Sequence, residues 1–156
     1  MLKQLELKIP PLLVLIIAMI VLYILPDISI LAASTTALHY LHVAAIVLSV
    51  LALTIVLLAV LGFRQQHTTV DPTQPNKTEA LVVNGIYRLS RNPMYLAFLL
   101  LLIAFGLWLN TLGIIPIAIA FIVYLTRWQI MPEESFLRQK FGADYEQYCR
   151  QVRRWL

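Results

Sequence analysis

Two short clusters hold most of the reactive side chains of this sequence. The first is Asn84-Gly85-Ile86-Tyr87-Arg88-Leu89-Ser90-Arg91-Asn92-Pro93-Met94-Tyr95. Pro93 suits the first turn of a helix, because the N–H it lacks has no helical partner there, and it leaves Asn92 extended or capping. Such a helix start turns free backbone N–H groups toward the loop, a setting for an anionic group, with arginines nearby to pair a carboxylate or phosphate. The second cluster is Glu133-Glu134, directly after Met131-Pro132, with Arg127 one to two turns earlier. Paired carboxylates there suit a cationic ligand such as an ammonium or sulfonium. Each cluster also has a plain structural reading. Tyrosine and arginine form the interfacial belt of membrane proteins, carboxylates stabilise helix starts, and a boundary arginine such as Arg127 snorkels. Residue types alone leave both readings open.

The elements that position these clusters follow from composition. The chain has 156 residues, about one domain, of which 60% are hydrophobic and 13% charged. Its mean hydropathy is +0.80. Soluble domains carry roughly 25% charged residues, so a disordered chain is excluded and a soluble globule disfavoured. Twelve Lys and Arg against eight Asp and Glu give +4. In so apolar a chain that excess points to anionic lipid headgroups, not to nucleic acid. One cysteine, Cys149, excludes an internal disulfide and a multi-cysteine metal site.

Charge positions set the spans. No Asp, Glu, Lys or Arg occurs between Asp27 and Arg64, or between Arg91 and Arg127. A helix through the second stretch would run to about 50 Å, beyond a hydrocarbon core of about 30 Å. It must fold back, and Asn110-Thr111-Leu112-Gly113 is its only polar, turn-competent segment. The expectation is an all-α polytopic membrane protein forming a single membrane domain. Its four transmembrane helices fall at about 9–25, 38–63, 94–109 and 112–131, the last kinked at Pro116. The alternative for the first run is a cleaved signal peptide, but no small-residue cleavage site follows and Pro26-Asp27 reads as a turn. With four spans, all twelve Lys and Arg fall on one side, which the positive-inside rule makes cytoplasmic together with both termini.

What remains is a cytoplasmic loop, 64–93, irregular and mobile over Thr68 to Thr78, and a cytoplasmic amphipathic helical tail, 132–156. Leu137, Phe141, Tyr145, Tyr148, Val152 and Trp155 mark one helical face of that tail, with Arg138, Lys140, Arg150 and Arg153 mainly off it. Gly142 is expected to end one helix and Asp144 to cap the next. His39 and His42 share a helical face but lack a carboxylate or cysteine nearby, a poor metal site. His67 stands alone. No phosphate-cradling glycine motif occurs. Cys149 is a candidate for palmitoylation or, more simply, a packed thiol.

Taken together the clusters carry a resemblance. Leu81-Val82-x-x-Gly85-x-Tyr87-Arg88-x-x-Arg91-Asn92-Pro93-Met94-Tyr95 resembles the pattern G-x-Y-R-x-x-R-H-P-x-Y. The segment Glu133-Glu134-x-x-Leu137-x-x-x-Phe141-Gly142-x-x-Tyr145-x-x-Tyr148 is similar to E-E-x-x-L-x-x-x-F-G-x-x-Y-x-x-Y. Both patterns belong to the isoprenylcysteine carboxyl methyltransferase and phospholipid methyltransferase superfamily. The resemblance covers about residues 80–156 and implies S-adenosylmethionine bound at the cytoplasmic face, with no metal. Gly85, Tyr87, Arg88, Arg91, Asn92, Pro93, Met94 and Tyr95 would line its pocket, and Glu133 and Glu134, Glu133 by preference, would face the methionine ammonium. Arg127 would orient the substrate, with Arg154 a second candidate. Asn92 stands where the family has histidine and Ala97 where glycine is common, so position 92 is not assigned as a base.

The implied reaction is methyl transfer to a lipophilic or lipidated substrate, foremost an isoprenylcysteine-type carboxylate, in an integral membrane protein of the bacterial inner membrane. A carboxylate needs alignment but no base, whereas an amine must first lose a proton. The alternatives are a phospholipid N-methyltransferase and, in another class, a non-catalytic transporter subunit or scaffold.

Overall fold

The computed structural model describes residues 9–25, 29–30, 35–65 and 80–156, so the Thr68–Thr78 loop and His67 lie outside the described residues. Among the described residues the chain is helical, with one isolated antiparallel bridge between Ser29 and Thr111. Helix α1 is Pro11–Ile24 and α2 is Thr35–Gln65. A 3-10 turn, Gly85–Arg88, precedes α3, Pro93–Trp108. Helix α4 is Ile114–Leu125, α5 is Met131–Phe141 and α6 is Ala143–Gln151.

Proline places two of these starts. Pro11 opens α1 and Pro93 opens α3, with Asn92 at the cap position, where a missing N–H costs no helical bond. The expected hairpin forms between α3 and α4. Asn110 takes a φ of 55°, which asparagine tolerates better than other side-chain-bearing residues, and Thr111 Oγ1 accepts the Gly113 N–H at 3.2 Å. The two helices approach so closely that a Cβ on Gly106 would lie 2.5 Å from Ile114 Cβ. Gly106→Ala is therefore expected to overpack the hairpin and cost about 1–3 kcal/mol, read as a lower Tm in detergent. Gly62→Ala, whose added Cβ meets nothing nearer than 3.5 Å, should leave Tm close to that of the parent.

The fourth helical run differs from expectation at its prolines. Pro116 falls in the first turn of α4, where Ile117 N–H still reaches Gly113 O, so it interrupts nothing. The disturbance comes from Pro132. Proline offers no N–H, and its ring crowds the carbonyl four residues earlier, that of Trp128. The ladder widens into a π segment, Thr126–Ile130, in which Met131 N–H donates to Thr126 O. The helix then continues into α5, so Glu133 and Glu134 do not stand at a free helix start. Gly142, at φ 51°, separates α5 from α6. Asp144 makes no cap hydrogen bond, because Gly142 itself occupies the cap position.

Small residues make the central seam. Ala45, Ala52 and Ala59, seven apart on α2, are buried, as are Ala97 and Ala104 on α3. Such spacing lets two helix backbones approach closely without competing side chains. On the other side of α3, Leu15 and Leu22 of α1 meet Leu102, Phe121 and Leu125 in one core. A second core joins Ala59, Val82 and Tyr87 to Tyr145, Tyr148 and Val152 of the tail. The amphipathic tail thus spends its apolar face on the motif loop, while Trp155 packs on the first core. Outward faces stay aliphatic, with Ile16, Ile20, Val47, Val50, Leu53, Leu57, Ile119 and Val123 exposed. Thr35–Arg64 and Ile114–Phe141 are long and apolar enough to cross a bilayer, and α1 and α3 are apolar but shorter. Aliphatic outward faces on α1, α2 and α4 suit lipid, not water.

Candidate active site

A cavity of about 360 Å³ opens where both clusters meet, within the size range of small-molecule sites. Arg91 and Asn92 stand just before α3, Pro93 to Tyr95 and Phe98 come from its first turns, Glu133, Glu134 and Leu137 from α5, and Tyr145 and Tyr148 from α6. Tyr87, Ala80 to Val82, Phe63 at the end of α2, and Pro10 to Leu12 complete the lining. Of the residues expected from sequence, Tyr87, Arg91, Asn92, Pro93, Met94, Tyr95, Glu133 and Glu134 are together there. Four are not. Gly85, at φ 62°, starts the 3-10 turn outside the cavity, and Arg88 is exposed, donating to Asn84 Oδ1 at 3.2 Å. Arg127 is exposed within the π segment. Arg154 stands behind the lining and acts on it through Glu134.

The two acidic neighbours differ in their partners. Glu134 is buried and receives three contacts from arginine: Arg91 Nη2 at 3.0 Å, and Arg154 Nε at 3.0 Å and Nη2 at 2.7 Å. The Arg154 contacts form a two-pronged fork, the stronger arrangement of guanidinium on carboxylate. Glu133 accepts the Tyr95 hydroxyl at 2.5 Å, and among the described residues no cation pairs with it. Burial pushes the Glu133 carboxyl from 4.5 up to about 8, against the opposing Tyr95 hydrogen bond and with a smaller push from the Glu134 charge. Burial likewise raises the hydroxyls of Tyr87, Tyr145 and Tyr148. Tyr148 donates to Tyr87 O at 2.7 Å, tying α6 to the motif loop. Arg91 Nε is buried and has no hydrogen-bond partner among the described residues.

Past α6 the backbone extends at Val152 and crosses the motif as a strap. Arg91 N–H donates to Arg153 O at 3.0 Å. Asn92 Nδ2 donates to Arg154 O at 2.9 Å, and Ser90 Oγ to the same carbonyl at 3.4 Å. Sequence reasoning missed this strap because backbone carbonyls, which every residue carries, accept the bonds. It missed Phe63 and Phe98 as lining because nothing separates them from other apolar residues of their spans.

Residues 40–144 match the model of the phospholipid methyltransferase family. The chain belongs to that family. Two rice proteins, from the indica and japonica subspecies, each named "Probable protein-S-isoprenylcysteine O-methyltransferase", are 35% identical over 99 residues, covering 61% of this chain. The chain spans about half the length of each. An uncharacterised protein of Haemophilus influenzae is 47% identical over 64 residues, which are 40% of this chain and all of that protein. No solved structure matches. In this member of the phospholipid methyltransferase family, Asn92 gives its Nδ2 to the strap. Ala97 is buried in the α2 seam beside Ala52 and Ile55. The small facing residue Ala52 leaves room for its methyl group.

Proposed function

We propose that the protein is an S-adenosylmethionine-dependent methyltransferase of the membrane, acting on a lipophilic acceptor, foremost an isoprenylcysteine-type carboxylate. The observation that carries this reading is Glu133, a cavity-lining carboxylate held by Tyr95 with no cation of the described residues beside it. A carboxylate desolvated without a counter-charge is costly, and the methionine ammonium of the cofactor is the charge it lacks. The opposite end fits as well. Arg91 Nε is buried without a partner among the described residues, and the first N–H groups of α3 have no helical carbonyl to reach, so together they suit the methionine carboxylate. Bound there, the cofactor supplies an activated methyl group. The protein's own part is to align the acceptor and keep water away, for which the apolar lining of Phe63, Leu81, Val82, Phe98 and Leu137 is suited. The name of the rice relatives supports a thioether carboxylate as acceptor, and such an acceptor needs no base. In this reading the four apolar helices span the membrane, the twelve Lys and Arg lie at its cytoplasmic face, and the acceptor comes from the lipid.

One observation favours a second reading, N-methylation of a phospholipid amine. A carboxyl pushed to about 8 is a base poised near neutrality, which an ammonium acceptor requires. The two readings give Glu133 different work, cofactor binding or proton removal. Isothermal titration of detergent-purified protein with S-adenosylhomocysteine tests what they share: saturable binding is expected, and none at millimolar ligand sinks both. Radiolabelled methyl transfer to a farnesylcysteine analogue, set beside transfer to phosphatidylethanolamine vesicles, separates them. Label in the analogue is expected.

A further inference from the structure

Gln129 lies in the π segment and is fully buried. Its Nε2 donates to Ile9 O at 2.7 Å, across 120 residues of sequence, while its Oε1 has no partner among the described residues. Burying an amide is unfavourable unless it is hydrogen-bonded, so this single bond to the Ile9 carbonyl is what offsets it. Ile9 immediately precedes Pro10, Pro11 and Leu12, which line the cavity. That wall presents no polar side chain. Two prolines supply no N–H, and the Pro10 carbonyl is taken by Leu13 N–H at 2.9 Å and Val14 N–H at 3.3 Å. The Ile9 carbonyl, next in the chain, is satisfied by Gln129. Because the π segment is produced by Pro132, the same distortion stands directly before Glu133 and sets Gln129 at the start of α1. The two ends of the chain's described membrane core are thereby joined beside the cavity.

We propose that Gln129 is a positioning residue that pins the Pro10–Leu12 wall and so sets which apolar chains the cavity accepts. Resting on the methyltransferase reading, the wall is assigned to the hydrocarbon part of the acceptor, since its proline rings and leucine side chain offer that part apolar contact. Replacing Gln129 by Leu leaves the Ile9 carbonyl in need of water, and the wall moves to find it. The cofactor end, built from Arg91, Glu133 and Glu134, is untouched.

The test pairs kinetics with a distance measurement. In Gln129→Leu, S-adenosylhomocysteine affinity should stay within about twofold of the parent. KM for a farnesyl acceptor should rise about tenfold, the scale of one carbonyl left unpaired, with kcat little changed, and preference for farnesyl over geranyl acceptors should shrink. Spin labels at Leu13→Cys and Gln147→Cys, in a Cys149→Ser background, should give a narrow distance distribution that Gln129→Leu broadens. An unchanged distribution overturns the pinning. A broadened one with equal losses for both acceptors, or with lost S-adenosylhomocysteine binding, overturns the role in chain selection. Should the parent bind no S-adenosylhomocysteine, the methyltransferase reading fails and chain selection with it, while the distance measurement still decides the pinning.

Discussion

Affinity for S-adenosylhomocysteine should rise about fiftyfold between pH 6 and pH 8, and Glu133→Gln should abolish that rise. Burial holds the Glu133 carboxyl at about 8. An ammonium pairs with the ionised form alone, and at pH 6 only about one molecule in a hundred carries it, against about half at pH 8. Binding must supply the energy of ionisation at the lower pH, hence the slope. In Glu133→Gln nothing titrates in this window, so the profile flattens, and at pH 8 affinity falls by about 1.5–3 kcal/mol as a charge-assisted hydrogen bond is lost. Tyr95→Phe removes the hydrogen bond that favours the ionised form and moves the midpoint to higher pH. Titration calorimetry across the pH series reads all three proteins. Should Glu133→Gln keep full affinity and a pH-dependent profile while turnover disappears, the carboxylate is the proton acceptor of the amine reading.

The same shift makes a statement about stability, of opposite sign. Since the native carboxyl is held above its ordinary 4.5, the unfolded chain releases its proton first as pH rises. Between about 4.5 and 8 the native state therefore binds more protons, and the ligand-free protein loses stability with increasing pH. Ligand-free and ligand-bound proteins thus respond to pH in opposite directions.

How much of this was legible in the sequence depended on whether a feature is local. The hairpin at Asn110 to Gly113 and the start of α3 at Pro93 were readable because glycine, asparagine and proline constrain their own backbone. The meeting of the two clusters was readable only through the family's paired motifs, since nothing in Glu133-Glu134 alone points toward Tyr95. Which glutamate is paired was not readable at all. Adjacent helical residues point about 100° apart, and that angle sends Glu134 to Arg91 and Arg154 and Glu133 to Tyr95. The π segment was missed because the effect of a proline depends on its place in the helix. Pro116 falls where a missing N–H does no harm, and Pro132 where it does. Gln129 and Ile9 carried no signal, for a buried glutamine in an apolar run has no marker of its partner.

Glu134 is where the fold and the candidate site share one interaction, and its removal should be the most destabilising single change in the tail. Its side chain is 9% exposed, that of Arg91 12% and that of Arg154 36%. Glu134→Ala leaves Arg91 buried without a counter-charge, a situation that costs about 3–5 kcal/mol in protein interiors. Arg154 reaches water and adds little, so the lower end of that range is expected, as a shifted midpoint on denaturant titration in detergent. Arg154→Ala, judged by exposure, should cost about 1 kcal/mol or less, because the strap is held to Asn92 and Arg91 by backbone carbonyls that the substitution keeps. Arg91→Ala together with Glu134→Ala should cost distinctly less than the sum of the two single changes, since no buried charge is then left unpaired. Additive costs would show that Glu134 stabilises through something other than this ion pair. A Glu134→Ala protein as stable as the parent would show that the arginine is already solvated.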